Sequence, residues 1–254
     1  MEQRTIEWYK ARLGKLTASE IHVLMKDHKE PMTDDELAEW KKANPKSRVT
    51  TKTVPFSDAT FTYLNSKVME NYLPLSSSDV RSMNIVEEFI EQHSFSNRAT
   101  DWGTLMESDA RQRYADTMGY EVFEVGFVPY KEYPNLAGGS PDGLIREETG
   151  GLEIKCPFTL EKHLQHLLYE KQEDLKENEP EYYWQCVMNM LVTDCSFWDF
   201  VSYNPYVSRS KQLKILRIKR NEADIKSLSA RIALAVDYMK EKIELIDKIQ
   251  IIIR

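Results

Sequence analysis

Apolar positions recur at helical spacing in several stretches of the chain, separated by shorter runs that alternate or stay continuously apolar. Phe61, Leu64, Val68 and Tyr72 share a helical face until LPLSSSD (73–79) interrupts it, and a further helix is predicted over Val80 to His93. Thr100 to Met118 reads as a helix closed by Gly119, the residue type that most easily adopts the left-handed C′ conformation. TASE (17–20) carries the capping-box pattern and leads into Ile21, Val23, Leu24 and Met25, which predicts a short helix starting near Thr17. Thr159 to Glu170 reads as helix, and Pro180 opens another through YYWQCVMNMLV. The C-terminal stripe Ile225, Leu228, Ile232, Ala235, Met239, Ile243 and Ile246 predicts a long helix at about 221–250. That stripe suits core or subunit contact better than a polyanion.

Strand patterns fall at 121–130, 136–145, 151–157, 197–203 and 213–220, and the turn signal EETGG makes the second and third an antiparallel hairpin. Residues from about His28 to Pro55 are polar, carry Pro31, Pro45 and Pro55, and read as a loop or partly ordered insertion. The expected architecture is α/β, a central mixed β-sheet flanked by helices. It forms one domain over 1–254 with an inserted arm at about 28–97.

Composition narrows the classes. At 254 residues, with 41% hydrophobic and 30% charged, the chain is an ordinary globular protein with a sizeable core. No run approaches the ~20 apolar residues that span a bilayer, and MEQRTIEWYK is too polar for a secretory signal, so no membrane partner and a cytoplasmic setting are expected. Cys156, Cys186 and Cys195 cannot supply four thiolates to a metal or cluster. The net charge of −7 argues against a protein that passively coats nucleic acid. It is neutral toward one that acts on nucleic acid at a local acidic site.

One such site is visible in SPDGLIREETGGLEIKCP (140–157). Residues two apart on a strand share a face, so Glu153 and Lys155 point the same way, and the hairpin can bring Asp142 beside Glu153. Two converging carboxylates repel unless a cation lies between them, and oxygen ligands with open positions suit Mg²⁺ or Mn²⁺. A neighbouring lysine can orient or deprotonate a water, or neutralise charge on a phosphorus-centred transition state. On spacing alone, acid-x-lysine on a strand is more often a solvated face. The apolar, tight-turning flanks favour a cleft, and Gly138 and Gly139 leave room for close backbone approach.

SPDGL (140–144) and GLEIKCPF (151–158) resemble the PD-(D/E)XK nuclease superfamily, in its phage lambda exonuclease-like (YqaJ-type recombinase) branch. WYKARLGKLTASEI (8–21) resembles that family's N-terminal motif, WGTLMESDAR (102–111) its acidic helix, YYWQCVMNMLVT (182–193) its glutamine-bearing helix, and YNP (203–205) the turn after the next strand. The similarity spans roughly 8–27 and 98–206 in the family's order, and 28–97 does not align.

The resemblance implies a PD-(D/E)XK restriction-endonuclease-like core in which Asp142, Glu153 and the carbonyl of Ile154 bind a catalytic Mg²⁺ (or Mn²⁺), with Lys155 catalytic. It also implies that Glu107 completes a second metal position and that Gln185 positions water or phosphate. Arg12 and Ser19 would hold a 5′-phosphate, with helix N-terminal amides at Ser19 adding to the anion site. The implied activity is 5′-to-3′ digestion of double-stranded DNA ends, exposing 3′ single strands for phage-type recombination in the cytoplasm of a bacterial host. A ring-shaped homotrimer and a single-strand annealing partner go with it. An endonuclease of the restriction or repair type, and a non-catalytic DNA-binding subunit, remain open alternatives. His22, His28, His93, His163 and His166 fit no metal-ligand spacing, and His163 and His166 read as helix-surface residues. Tyr182, Tyr183 and Trp184 read as core rather than base-stacking residues.

Overall fold

The computed structural model describes residues 2–75, 79–93, 97–146 and 148–249. Ser76 to Ser78 of the LPLSSSD break, Glu147 of EETGG and position 250 at the end of the expected last helix lie outside them. The elements run α1 (Ile6–Arg12), β1 (Leu16–Thr17), a 3-10 helix (Ile21–Met25), β2 (His28–Pro31), α2 (Asp34–Ala43), β3 (Thr51–Val54), α3 (Asp58–Glu70), α4 (Val80–His93) and α5 (Arg98–Met118). The second half runs β4 (Val122–Phe123), β5 (Val128–Pro129), β6 (Ala137–Gly139), β7 (Gly143–Ile145), β8 (Gly150–Lys155), α6 (Leu160–Leu168), α7 (Gln172–Asn178), α8 (Pro180–Thr193), β9 (Phe197–Tyr203), β10 (Leu213–Lys219) and α9 (Glu222–Asp247).

A five-stranded mixed sheet, in the order β10-β9-β8-β7-β4, forms the centre. β8 and β9 are parallel, so the chain must cross over between them, and α6, α7 and α8 make the crossover. α5 covers one face through Ala110 and Tyr114 against Leu152, Ile154 and Val201. α8, the 3-10 helix, α3 and α9 bury the other, with Trp198 and Phe200 fully enclosed. The α9 stripe is core: Leu228, Ile232, Ala235 and Met239 are fully buried.

Several expectations need correction. The stretches 121–130 and 136–145 each break in two and feed separate sheets, because β5 and β6 join β1 in a three-stranded sheet while β4 and β7 join the central one. The second break falls at Ser140-Pro141-Asp142, where proline has no N–H for a ladder. Asp142 therefore stands at the seam between two sheets.

No helix starts at Thr17. Leu16 and Thr17 pair with β6, Thr17 Oγ1 donates to Glu20 Oε2 (3.0 Å), and a single 3-10 turn begins only at Ile21. The polar stretch 28–55 is ordered: β2 and β3 form an antiparallel pair around α2, whose Thr33 and Glu36 make a complete capping box. α2 buries no residue, which is why no apolar period announced it.

His163 and His166 are not surface residues. Each is 1% exposed, and their Nδ1 atoms bond the buried Ser202 hydroxyl at 3.0 and 2.7 Å. Leu160, Leu164 and Leu168 of the same helix, spaced as a buried stripe would be, are instead 53–69% exposed. Burial lowers the His163 pKa, against the opposing effect of its bond to the Lys211 carbonyl. A depressed folded pKa means stability present above the unfolded value of about 6.5 and lost as pH falls through it. The melting temperature is expected to drop between pH 7 and 5, and His163→Gln to flatten that slope. An unchanged slope in the variant would refute the assignment.

Candidate active site

β8 sorts its side chains by alternation. Leu152 and Ile154 pack toward α5, while Glu153 and Lys155 face α8. Lys155 Nζ donates to Glu153 Oε1 (2.6 Å) and to Gln185 Oε1 (3.3 Å), and lies 4.7 Å from the Tyr182 ring centroid. Asn189, one helical turn beyond Gln185, donates Nδ2–H to Glu153 Oε2 (3.3 Å). The Asn189 side chain occupies the space that a Cβ at Gly139 would need. The close approach at Gly138 and Gly139 thus serves Phe127 and α8 rather than a ligand.

β7 pairs with β8 only as far as Gly143 opposite Leu152, so the Ile154 amide would be left without a strand partner. Asp142 supplies one: its Oδ2 accepts from Ile154 N–H at 2.7 Å. A strand residue projects its N–H and C=O to the same edge, so the Ile154 carbonyl also faces this gap. The Asp142 and Glu153 carboxyls are near enough for the charge of Glu153 to act on Asp142.

Burial, then the charges of Glu153 and Glu107, push the Asp142 pKa well above the usual carboxylate range. Burial also raises Glu153, against the charge and hydrogen bond of Lys155. Lys155 is held as an ammonium, because Glu153 and Asp142 outweigh the desolvation that opposes its charge.

Glu107 comes from α5 and is 8% exposed. It contacts Arg4, a residue in left-handed backbone (φ 64°), and Arg111 Nη2 at 2.7 Å. Arg111 also donates Nε–H to the Asp142 carbonyl (2.9 Å), tying the acidic helix to the seam. Neither arginine was singled out by sequence, nor was Asn189.

Arg12 and Ser19 are brought together, with Nη2 donating to Ser19 Oγ at 3.0 Å. Arg12 Nη1 donates to Ser140 Oγ (3.1 Å), which also accepts Trp8 Nε1–H (3.1 Å), and the guanidinium lies 4.3 Å from the Trp8 ring centroid. Ser140 is a further member that the sequence reading missed, two residues before Asp142. Ser19 is exposed and sits in a turn, so the helix N-terminal amides expected there are absent.

These groups line one cleft of about 830 Å³. It runs from Trp8, Arg12 and Ser19 past Asp142, Glu153 and Lys155 to Phe158 and Tyr182. Among the described residues, no three acidic, histidine or cysteine side chains stand in ready ligand geometry. The Asp142–Glu153 pair nevertheless fits a hard cation: a buried and a part-buried carboxylate share one neighbouring ammonium, leaving a negative excess that oxygen-seeking Mg²⁺ would neutralise. Glu107 is engaged by its arginines and would have to release them to join. Among the described residues no helix is long and apolar enough to cross a membrane. Cys156, beside the site, has its thiol pushed up to about 12 by burial and by Glu107 and Asp142, which disfavours the thiolate.

The sequence profile of the YqaJ-like viral recombinase domain matches residues 7–196. Among solved structures, the alkaline exonuclease LHK-Exo from Laribacter hongkongensis is 26% identical, with a TM-score of 0.66 covering 96% of this chain and 97% of its own. Its complex with dAMP gives the same figures. A phage-related exonuclease from Haemophilus somnus 129PT shares the fold at 15% identity and a TM-score of 0.58, over 91% of this chain and 96% of its own. No curated protein sequence shows significant similarity.

Proposed function

We propose, from the premise that this chain belongs to the YqaJ-like viral recombinase family, that it is a metal-dependent 5′-to-3′ exonuclease acting on double-stranded DNA ends. Its 26%-identical structural relative is an alkaline exonuclease, which is also seen with dAMP. The present chain would release nucleotides of that class and leave 3′ single strands for recombination. The observation that carries the reading is the common cleft of Asp142, Glu153 and Lys155 with Arg12.

Asp142, Glu153 and the Ile154 carbonyl are the groups that would hold Mg²⁺ or Mn²⁺, and Glu107 is the reserve ligand for a second ion. When bound, such ions supply charge neutralisation at the phosphodiester and acidify the attacking water. Lys155, as an ammonium, donates to a non-bridging phosphate oxygen and stabilises the charge that builds there. Gln185 fixes the direction of that ammonium through its side-chain oxygen.

Arg12 is a partly buried guanidinium whose hydrogen-bond partners are neutral hydroxyls, and burial lowers its pKa despite Glu20 and Glu153. A terminal phosphate would satisfy it bidentately, with Ser19 and Ser140 as additional donors. The outward Leu160, Leu164 and Leu168 support a homo-oligomer, taken as a trimer, since a free subunit gains nothing by exposing them. A single-strand annealing partner and a cytoplasmic bacterial setting belong to the same reading.

Linear duplexes labelled at either end, with and without 5′-phosphate, test polarity and end recognition together. Phosphorylated 5′ ends are expected to be degraded on the order of tenfold faster or more, the size of one or two charge-assisted hydrogen bonds. Arg12→Ala should bring them down toward the hydroxyl rate without altering the metal requirement. Equal rates on both ends in the unmutated protein, or cutting of a closed circular plasmid, would replace this reading with an endonuclease.

A further inference from the structure

We propose that Phe158 and Tyr206 form a stacking platform for an unpaired nucleobase of the cleaved strand, next to the bond that Lys155 serves. The identity of the occupant rests on the nuclease reading above, and the position rests on geometry. Phe158 lines the cleft and follows Lys155 by three residues, which span at most about 10 Å even when extended. A base on this ring therefore belongs to a nucleotide adjacent to the reacting phosphate rather than to a distant one.

The two rings are 49% and 76% exposed, yet they are held in place. Asn204, fully buried, donates Nδ2–H to the Pro157 carbonyl (3.0 Å) and accepts the Tyr206 N–H on Oδ1 (3.0 Å). This clip fastens the turn after β9 to the turn after β8, and so fixes both rings relative to Lys155. Trp102 of α5 backs them, stacked on Tyr206 at 5.2 Å and 22° and edge-on to Phe158 at 6.4 Å. The Arg98 guanidinium lies 5.9 Å from the Phe158 centroid. Exposed aromatic faces on anchored turns beside a cation are the equipment for single-stranded nucleic acid, where rings take bases and the cation takes the backbone. A protein neighbour covering the same shelf would have to bury the Arg98 charge as well.

The test mixes the full chain, in EDTA, with duplexes bearing a short unpaired tail that contains 2-aminopurine. The tail is placed on the 5′-phosphorylated strand or on the opposite strand. Stacking is expected to quench the fluorescence of the 5′-strand tail. Phe158→Ala and Tyr206→Ala, both exposed and so compatible with folding, are expected to lose the quench and bind the tail about tenfold more weakly. Phe158→Trp is expected to retain it.

No quench in the unmutated protein, equal quenching in the alanine variants, or quenching of the opposite strand alone would overturn the proposal. So would a fall in light-scattering mass in the alanine variants, which would assign the face to a neighbouring copy. The readout needs no cleavage: failure of the unmutated protein to cut DNA in Mg²⁺ would sink the nuclease reading separately.

Discussion

Replacing Lys155 with alanine is expected to slow cleavage about a hundred- to ten-thousandfold while DNA affinity stays within a few-fold. The first figure is the usual size of a positioned acid–base or charge-stabilising group. The second follows from place: Lys155 sits at the floor of the cleft between Glu153 and Gln185, where one ammonium adds little to a binding surface that has many other contacts. Its contribution grows only as charge builds on the phosphate, so the loss belongs in kcat rather than in binding. Single-turnover rates and fluorescence anisotropy on one duplex measure the two quantities side by side. A parallel fall in both would make Lys155 a phosphate clamp and move the chemistry elsewhere in the cleft.

Glu153→Gln is expected to abolish cleavage without lowering the melting temperature of the metal-free protein. Most substitutions at a residue 1% exposed destabilise, so the two halves of this outcome are normally opposed. Here the wild-type arrangement sets the buried Glu153 beside the part-buried Asp142, and the charge of Glu153 disfavours ionisation of Asp142. Glutamine keeps the shape and removes the like charge; its one oxygen can still accept from Lys155, while its NH2 replaces the oxygen that accepts from Asn189, so that weaker 3.3 Å bond is given up. It also removes a charged ligand, which a hard divalent cation does not replace with an amide at equal affinity. Calorimetric unfolding with and without Mg²⁺ separates the effects. The unmutated protein should gain stability from the ion and the variant should not. A variant that still cuts DNA, with contaminating nuclease excluded, would refute the assignment of Glu153.

What the sequence made legible was local. The alternation of GLEIK and the turn at EETGG are short-range signals, and they place Glu153, Lys155 and Asp142 correctly without any knowledge of the remainder. The resemblance to a nuclease family carried Glu107 and Gln185 to the same cleft across intervals no periodicity could bridge. Arg111, Asn189 and Ser140 escaped because each acquires its meaning from a partner on another element. Arg111 meets Asp142 across 31 positions and Asn189 meets Glu153 across 36.

α6 was misread for a different reason. Its leucines carry the period of a buried stripe, and its histidines look like solvent-facing polar residues. Burial was decided instead by Ser202, the Lys211 carbonyl and Glu179, which give both imidazoles partners inside the protein. The segment β2-α2-β3, read as a loop or partly ordered insertion, was opaque because α2 contributes nothing to the core, although its capping box at Thr33 and Glu36 stood in plain view.

The bond from Asp142 to the Ile154 amide has a bearing on how the site can be watched. Because β7 stops short, the carboxylate does the work of a neighbouring strand, and the protection of one backbone proton depends on where a single side chain points. Any event that draws Asp142 away, a cation arriving or a substrate phosphate displacing it, uncovers that proton to exchange with solvent. Amide exchange at Ile154 is thus a local clock for the state of the site, fast when Asp142 is occupied elsewhere and slow when it is home. The amides of β8 that bond to β9 would keep their own slow rate throughout.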